Sequence, residues 1–321
     1  MFKPFALLTA LLLLAAPVGL FAETLPLNKI IYENDFSTRT SSGPIAGSTV
    51  GTYTTGNLAG TAPGDVGQDG WQRPPGTVSS VGRSQITVSA TGSNQFVRIG
   101  TTTVDQDHLY VAQKIGRTAT HGPLRISIDM LPTNAWRTSG TSHGLGIMLG
   151  GDALHDSRDS NNVTAYFGLF AGPVATDGTT RIAVRDGTGQ VSDTWIGSDF
   201  VAADNDNQDT WYRFIVDLDL DLNTWSLDAY ELGTDHPTMS TPLGNLVYSI
   251  DDLGFRTNVG PDGVKGITTI GVFGRRLLSG TAGFDNIVIS IPEPGSLSLL
   301  ALAGLCLVLR RRRRSHSGPD I

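Results

Sequence analysis

The chain has 321 residues, of which 39% are hydrophobic and 17% are charged, and its formal net charge is −7. Residues 23–291 hold 17 of the basic and 28 of the acidic residues, so this part alone carries a charge of −11. Such a body is a poor partner for nucleic acid, because phosphate binding needs clustered Lys and Arg. Divalent cations or neutral polysaccharide suit it better.

The first predicted element is a signal peptide at residues 1–22. Lys3 gives a positively charged start, Phe5 to Ala16 form an apolar stretch, and Leu20-Phe21-Ala22 offers a cleavage site before Glu23. An uncleaved N-terminal anchor is the alternative. The apolar stretch is short and is interrupted by Pro17 and Gly19, which favours cleavage.

Residues 23–291 form the body of the protein, and their composition predicts one all-β domain. Glutamate occurs here only at positions 23, 33 and 231, lysine is equally scarce, and Gly, Thr, Val and Asp are abundant. These residues favour strands joined by tight turns over helices. Alternating or apolar segments predict strands at 28–33, 94–99, 107–115, 124–130, 143–149, 162–170, 180–186, 211–221, 225–230, 267–274 and 283–290.

Two of these segments carry additional information. The segment from Val163 to Phe170 is apolar on both faces, which predicts a central, fully buried strand. In the segment 211–221, alternation places Asp217, Asp219 and Asp221 on one face and Leu218, Leu220 and Leu222 on the other. A solvated face opposite a leucine core explains this pattern more simply than a cation site does.

The C-terminal residues have a three-part organisation. Pro292-Glu293-Pro294 is followed by an uncharged apolar run, residues 295–309, then by five arginines, Arg310, Arg311, Arg312, Arg313 and Arg314, and by a tail at 315–321. As a helix the run spans about 22 Å, against a hydrocarbon core of about 30 Å, which suits a temporary membrane segment. The arginines would stay on the cytoplasmic side.

This order of motif, short apolar helix and arginine cluster resembles the PEP-CTERM sorting signal of bacterial exosortase substrates. The resemblance covers residues 292–314 and implies removal by an exosortase near Pro292, Glu293 and Pro294. It further implies a Gram-negative source, a transient stay in the inner membrane, and final delivery to the cell surface or extracellular matrix.

A second resemblance spans most of residues 28–290. The opening segment Tyr32-Glu33-Asn34-Asp35-Phe36, the middle segment 209–214 and the closing segment 283–289 are similar to the concanavalin A-like lectin/glucanase (LamG-like) jelly roll. That resemblance implies a two-sheet antiparallel sandwich whose first and last strands pair. It also implies a structural calcium held by Glu33, Asp35 and Asp285, with backbone carbonyls completing the ligand set.

The sequence predicts no catalysis. Glycoside hydrolysis usually needs two carboxylates, and the glutamate motif of the glucanase branch is absent from the sequence. A polysaccharide lyase that uses His143 and Tyr166 stays open. For sugar binding, which uses aromatic platforms, the candidates are Trp136, His143, Tyr166 and Trp195.

These observations predict an exported surface or matrix protein whose partners are an exosortase, the membrane and extracellular polysaccharide. Its body is expected to act as a non-catalytic carbohydrate-binding or structural module. Two alternatives remain: a glycosidase or lyase of the same fold, and a calcium-dependent adhesion or self-assembly protein.

Overall fold

The structure is a computed structural model, and it describes most of the residues between Lys29 and Pro292. The described residues are 29–36, 53, 55–59, 67–72, 86–91, 94–99, 108–119, 122–132, 134–135, 143–151, 163–171, 179–187, 194–203, 209–255, 267–275, 277–279 and 282–292. The predicted signal peptide at 1–22, the apolar run at 295–309 and the tail at 315–321 lie outside them. Within the described part, no helix is long and apolar enough to cross a membrane.

The described residues form seventeen strands and one 3₁₀ helix, Gln68–Gly70. The strands are β1 (Lys29–Asn34), β2 (Gly56–Asn57), β3 (Ile86–Thr91), β4 (Asn94–Ile99), β5 (His108–Ala119), β6 (Pro123–Leu131), β7 (Asn134–Ala135), β8 (His143–Gly150), β9 (Val163–Ala171), β10 (Thr180–Asp186), β11 (Thr194–Ala203), β12 (Trp211–Asp219), β13 (Thr224–Gly233), β14 (Asn245–Gly254), β15 (Ile267–Arg275), β16 (Leu277–Ser279) and β17 (Ala282–Ile291).

Two large antiparallel sheets contain nearly all of these strands. The nine-stranded sheet has the order β14-β13-β12-β6-β17-β4-β3-β2, with β1 paired to β17, and the six-stranded sheet has the order β11-β10-β9-β8-β15-β5. The short strands β7 and β16 pair with each other. The predicted two-sheet antiparallel jelly-roll sandwich is therefore confirmed.

The core lies between the two sheets and follows from strict alternation along the strands. Ile126, Ile128 and Phe214 face inwards from the nine-stranded sheet, and Phe167 and Val184 face them from the six-stranded sheet; all are buried. The Phe167 and Phe214 rings stack with their centroids 5.8 Å apart. Successive side chains of a strand point to opposite faces, so each sheet also presents an outer face to its surroundings.

The predicted strand positions are confirmed, with one correction at the β12–β13 hairpin. β12 ends at Asp219, and Asn223 in the turn has a φ of 61°, a left-handed conformation that asparagine tolerates. Alternation therefore stops before Leu222, which is 70% exposed instead of joining buried Leu218 and Leu220. The hairpin is shorter than the leucine pattern suggests.

The pairing of β1 with β17 is the feature that joins the two ends of the domain. Asn34 lies opposite Ile287 and Lys29 lies opposite Ile291. A register shift in β17 between Asp285 and Val288, with a φ of 50° at Asn286, forms a bulge. Bulges redirect side chains, and here Asn286 contacts Asp129 of β6, while Asp285 contacts His236 of the loop between β13 and β14.

Buried aromatic and polar side chains close one edge of the sandwich. The Phe36 ring lies 5.1 Å from that of Tyr53 and 5.4 Å from that of Phe284. Asn34 Nδ2 donates to the Tyr53 hydroxyl at 2.7 Å, which in turn donates to Asp69 Oδ2 at 3.0 Å. Burial raises the pKa of the Tyr53 hydroxyl, so the hydroxyl stays protonated and keeps the hydrogen that it donates to Asp69.

Candidate functional site

The outer face of the six-stranded sheet carries a cluster of aromatic side chains. Alternation turns the neighbours of the core residues outwards, and the resulting aromatic cluster, as we call it, consists of Tyr110, Tyr166, Phe170, Trp195 and Phe273. The Tyr166 ring lies 5.1 Å from Trp195 and 5.6 Å from Phe170, in edge-to-face contacts. Such contacts stabilise aromatic pairs beyond the burial of their area.

Glycines on the adjoining strands make room for these rings. A Cβ added at Gly146 of β8 would lie 2.7 Å from Tyr166 Cε2, and one added at Gly271 of β15 would lie 2.7 Å from Tyr110 Cε2. Both distances are shorter than van der Waals contact. The rings of Tyr166 and Tyr110 therefore lie directly against the backbone of the neighbouring strands, which fixes their position.

Trp195 and Arg185 form the accessible part of this cluster. They lie directly opposite each other on β11 and β10, and both are partly exposed, whereas Tyr166 is 7% exposed and Phe170 is fully buried. The Arg185 guanidinium lies 4.9 Å from the Trp195 ring centroid and 5.8 Å from that of Tyr166. This cation–π arrangement holds the guanidinium against two rings.

A second arginine of β10, Arg181, points to the same outer face. Its NH1 group donates to the carbonyl oxygens of Ser198 and Asp199 at 3.4 and 3.2 Å, and its Nε donates to Thr179 Oγ1 at 3.3 Å. The Asp199 carboxylate is 4.0 Å away and fully exposed. We call Trp195, Arg185 and Arg181 together the Trp195 patch.

The outer face of the nine-stranded sheet has a different organisation, built on a buried ion pair. Arg213 of β12 and Asp129 of β6 lie opposite each other and form a two-bond pair at 2.6 and 2.8 Å. Their side chains are 3% and 0% exposed. Burial raises the pKa of the Asp129 carboxyl, and Arg213 and Asn286 partly oppose that shift.

The loop between β13 and β14, residues 234–244, covers this ion pair. Arg213 donates to the carbonyl oxygens of Thr238 and Thr241, each at 2.9 Å. Asn286 Nδ2 donates to Asp129 Oδ2 at 2.8 Å and to the Pro237 carbonyl at 3.1 Å. A buried charge pair needs such additional hydrogen bonds to offset its desolvation.

His236 of the same loop joins Asp285 to this network. Its Nε2 lies 2.8 Å from Asp285 Oδ2, and its ring stacks on Trp211 with centroids 5.1 Å apart. Burial lowers the pKa of His236, and burial together with the nearby Asp129 and Asp35 charges raises that of Asp285. His236 Nδ1 is buried without a hydrogen-bond partner among the described residues. The network closes the loop onto the sheet.

The predicted calcium ligands Glu33, Asp35 and Asp285 do not form a cluster that could hold a metal ion. The Asp285 carboxylate is engaged by His236 and by the Asn286 backbone N–H, which donates to Oδ1 at 2.8 Å. Among the described residues, no group of three or more His, Cys, Asp or Glu side chains could hold a metal ion. Glu33 and Asp35 lie on or beside β1 as expected, but the described side chains do not fit Ca²⁺, which needs six to eight oxygens.

An open groove of about 570 Å³ lies at one end of the nine-stranded sheet. Asp217, Asp219, Asp251 and Asp252 line it, together with Pro292, the first residue of the Pro-Glu-Pro motif. Asp217 forms a two-bond pair with Arg125, each bond at 2.7 Å. Asp219 Oδ1 accepts the backbone N–H groups of residues 221 and 222 in the hairpin turn. Asp217 and Asp219 of β12 therefore accept hydrogen bonds from other parts of the protein instead of only facing solvent.

Of the four predicted sugar-binding residues, the structure brings Tyr166 and Trp195 into contact. His143 begins β8 opposite Ala171, whereas Tyr166 lies opposite Met148. Five residues along a strand correspond to about 16 Å, so the backbone positions do not support a lyase pair of His143 and Tyr166. Trp136 lies outside the described residues, as do Glu293, Pro294 and Arg310–314 of the sorting motif.

Sequence reasoning missed Arg181, Arg185 and the Asp129–Arg213 pair. The alternation of Arg181-Ile182-Ala183-Val184-Arg185 does place both arginines on one face, which was the available signal. The partners of Asp129 and Asp285 depend on strand register and on the bulge at Asn286, and neither has a local sequence signature.

Comparison with protein families supports the C-terminal prediction. Residues 290–314 match the family model described as the PEP-CTERM protein-sorting motif. The match contains the predicted motif at 292–294 and all five arginines, so the predicted sorting signal is confirmed. No curated protein matches the chain significantly.

Solved structures similar to this chain include sugar-binding and sugar-cleaving proteins. The globular domain of T. cruzi calreticulin has a TM-score of 0.38 and 10% identity over 85% of this chain and 92% of its own. The VIP36 exoplasmic/lumenal domain, in its Ca²⁺/Man3GlcNAc-bound form, has a TM-score of 0.38 and 15% identity over 64% of this chain and 80% of its own. The glycoside hydrolase family 131 catalytic domain from Coprinopsis cinerea has a TM-score of 0.38 and 13% identity over 82% of this chain and 94% of its own. No residue role transfers at such identities.

Proposed function

We propose that this chain is an exported protein, sorted by an exosortase to the cell surface or extracellular matrix, and that its β-sandwich binds extracellular polysaccharide without cleaving it. The destination is supported by the sorting motif at 290–314, which begins where β17 ends at Ile291. The folded body and the signal therefore adjoin without a long linker between them.

The contact of Trp195 with Tyr166 and Arg185 is the single observation that supports sugar binding. A sugar ring stacks on an aromatic face through its C–H groups while polar side chains bind its hydroxyls. Trp195 is partly exposed, and its ring contacts Tyr166 and Phe170, 5.1 and 4.7 Å away. It therefore offers a rigid platform, which lowers the entropic cost of binding.

Binding is tested with the full chain purified in detergent, titrated with a panel of soluble oligosaccharides by calorimetry. We expect Trp195→Ala to weaken binding about tenfold, the order of one lost aromatic contact. The matched control is Tyr230→Ala, which removes a partly exposed aromatic of β13 on the other sheet and should leave the affinity unchanged. Equal loss in both variants would count against the Trp195 site.

The sorting proposal is tested in a host that contains an exosortase. Replacing Pro292, Glu293 and Pro294 by alanine should leave a larger precursor in the membrane fraction, while the unmodified chain is shortened and leaves that fraction. A variant with alanine at Thr238, Met239 and Ser240 controls for general effects on export. Identical processing of all three chains would refute the proposal.

One observation favours the alternative of a carbohydrate-active enzyme. The groove is of the size that small ligands occupy, and Asp251 and Asp252 line it beside Asp217 and Asp219. Glycosidases use two carboxylates across the scissile bond. The test is whether the protein releases reducing ends from a bound polysaccharide. Release that is lost in the double variant Asp251→Asn/Asp252→Asn would support an enzyme instead of a non-catalytic binding module.

A further inference from the structure

We propose that the Trp195 patch selects anionic polysaccharide, in which carboxylate or sulfate groups pair with Arg185 and Arg181. The inference rests on the proposed sugar binding at Trp195 and names the ligand class. It also runs against the overall composition, because a body with a net charge of −11 favours neutral or cationic partners.

The described charged side chains of this face are mainly basic, whereas the body as a whole is acidic. Among the described residues of the outer face of the six-stranded sheet, Arg181 and Arg185 lie on β10 and exposed Lys114 lies on β5, whereas Asp199 is the acidic residue next to the arginines. The outer face of the nine-stranded sheet carries Asp129, Asp217 and Asp228, but Arg213 and Arg125 pair with the first two, and exposed Arg98 lies on β4 of the same sheet. The basic side chains of the six-stranded sheet therefore favour the approach of a polyanion to that face.

Both arginines are held in place by β11, which is why they suit recognition. Arg185 lies over the Trp195 and Tyr166 rings, and Arg181 donates to two β11 carbonyl oxygens. A planar guanidinium fork pairs with a carboxylate or sulfate through two parallel hydrogen bonds. Because little side-chain freedom is lost on binding, more of the interaction contributes to affinity.

The spacing of the two arginines suits a chain with repeated charges. They are four residues apart on one strand, about 13 Å along it, and Trp195 lies directly opposite Arg185. A polysaccharide that stacks one ring on Trp195 and runs along β10 passes both guanidinium groups. A neutral polysaccharide would gain the stacking contact and hydrogen bonds to its hydroxyls, but no charge-paired hydrogen bonds.

The test uses two ligands that differ in charge alone: a uronic-acid hexasaccharide and its carboxyl-reduced neutral form. The full chain in detergent is titrated with each at about 20 and about 300 mM salt, where screening differs strongly. We expect the uronate to bind about tenfold more tightly at low salt, and most of this preference to vanish at high salt.

Substitutions test which residues cause the preference for the uronate over its neutral form. Arg185→Gln and Arg181→Gln should each reduce uronate binding about tenfold and reduce binding of the neutral form clearly less. Arg185→Lys keeps the charge but loses the planar fork, so its uronate affinity should lie between those of the unmodified chain and Arg185→Gln. The matched control is Arg98→Gln, an exposed arginine of β4, which should have no effect. Arg181→Gln serves as the second variant if Arg185→Gln does not fold.

The outcomes separate this inference from the proposed function. Equal binding of both hexasaccharides that is lost in Trp195→Ala would overturn the anionic preference and leave the proposed function intact. A uronate preference that persists in both arginine variants would also overturn the inference. Binding of neither ligand, nor of any member of the oligosaccharide panel, would overturn both.

Discussion

The two outer faces of the sandwich differ in how they treat charged side chains. On the nine-stranded sheet, Asp129 and Arg213 pair with each other, and the 234–244 loop covers them completely. On the six-stranded sheet, Arg185 lies against aromatic rings and remains partly exposed. A buried pair satisfies itself and holds a loop in position, whereas a partly exposed guanidinium on a rigid ring can still engage a ligand. We therefore propose a structural role for the first face and a recognition role for the second.

The largest expected effect comes from breaking the covered pair. Asp129→Ala leaves the Arg213 guanidinium buried without its carboxylate, which should lower the free energy of unfolding by about 3–5 kcal/mol. The same substitution at Asp217 breaks the Arg125 pair, which bridges the same two strands but is 26% and 42% exposed; this should cost about 1 kcal/mol or less. Urea unfolding of both variants measures the difference. Equal costs would mean that the loop does not shield the Asp129 pair.

A smaller effect is expected on the aromatic face. Gly146→Ala forces a methyl group against Tyr166 and should destabilise the protein by about 1–3 kcal/mol through overpacking. Gly151→Ala, just beyond the same strand, adds a methyl group where nothing lies within 4 Å, so it is the matched control and should be close to neutral. Thermal midpoints of both variants distinguish them. If Gly146→Ala were as stable as the control, the rings would not be fixed against β8.

The smallest expected effect is the pH dependence of the His236–Asp285 contact. The pKa of His236 is lowered in the folded state, so the unfolded chain binds the additional proton, and the stability that His236 contributes is lost as the pH falls below about 6.5. The pKa of Asp285 is raised, so its contribution has the opposite sign: it is present below the ordinary aspartate pKa and is lost as the pH rises through the folded value.

Two variants separate these contributions. Between about pH 7 and pH 5, His236→Gln should reduce the loss of stability on acidification, and Asp285→Asn should increase it, each by about 1 kcal/mol or less. The free energy of unfolding in urea, measured across this range, gives both slopes. Changes of the same sign in the two variants would contradict the assignment.

Much of the fold could be predicted because its strands alternate strongly. The β12–β13 hairpin, the doubly buried β9 and the terminal pair β1 and β17 all follow from apolar spacing and from the jelly-roll resemblance. β14 was missed because it is an edge strand with largely exposed side chains, including Asp251 and Asp252, so it has little apolar periodicity. β11 was missed because Gly197 and two register shifts against β10 interrupt its pattern.

The candidate site could be predicted only in part. Tyr166 in a predicted strand and Trp195 outside one were recognisable as candidate aromatic platforms, and the sandwich brings their rings together. The jelly-roll resemblance implies a calcium role for Asp285, whereas in the structure its side chain contacts His236, 49 positions away in the sequence. That contact depends on the left-handed conformation of Asn286 and on the path of a loop, which no local pattern specifies.

The position of β17 also determines when the domain can finish folding. This strand forms hydrogen bonds with β1, β4 and β6, so the nine-stranded sheet cannot be completed before β17 is available. Because synthesis and export begin at the N-terminus, β1 is made long before β17, its partner some 250 residues later in the sequence. Such non-local pairing is slow. The sorting motif begins where β17 ends, so the last strand of the sheet and the processing signal are synthesised one directly after the other.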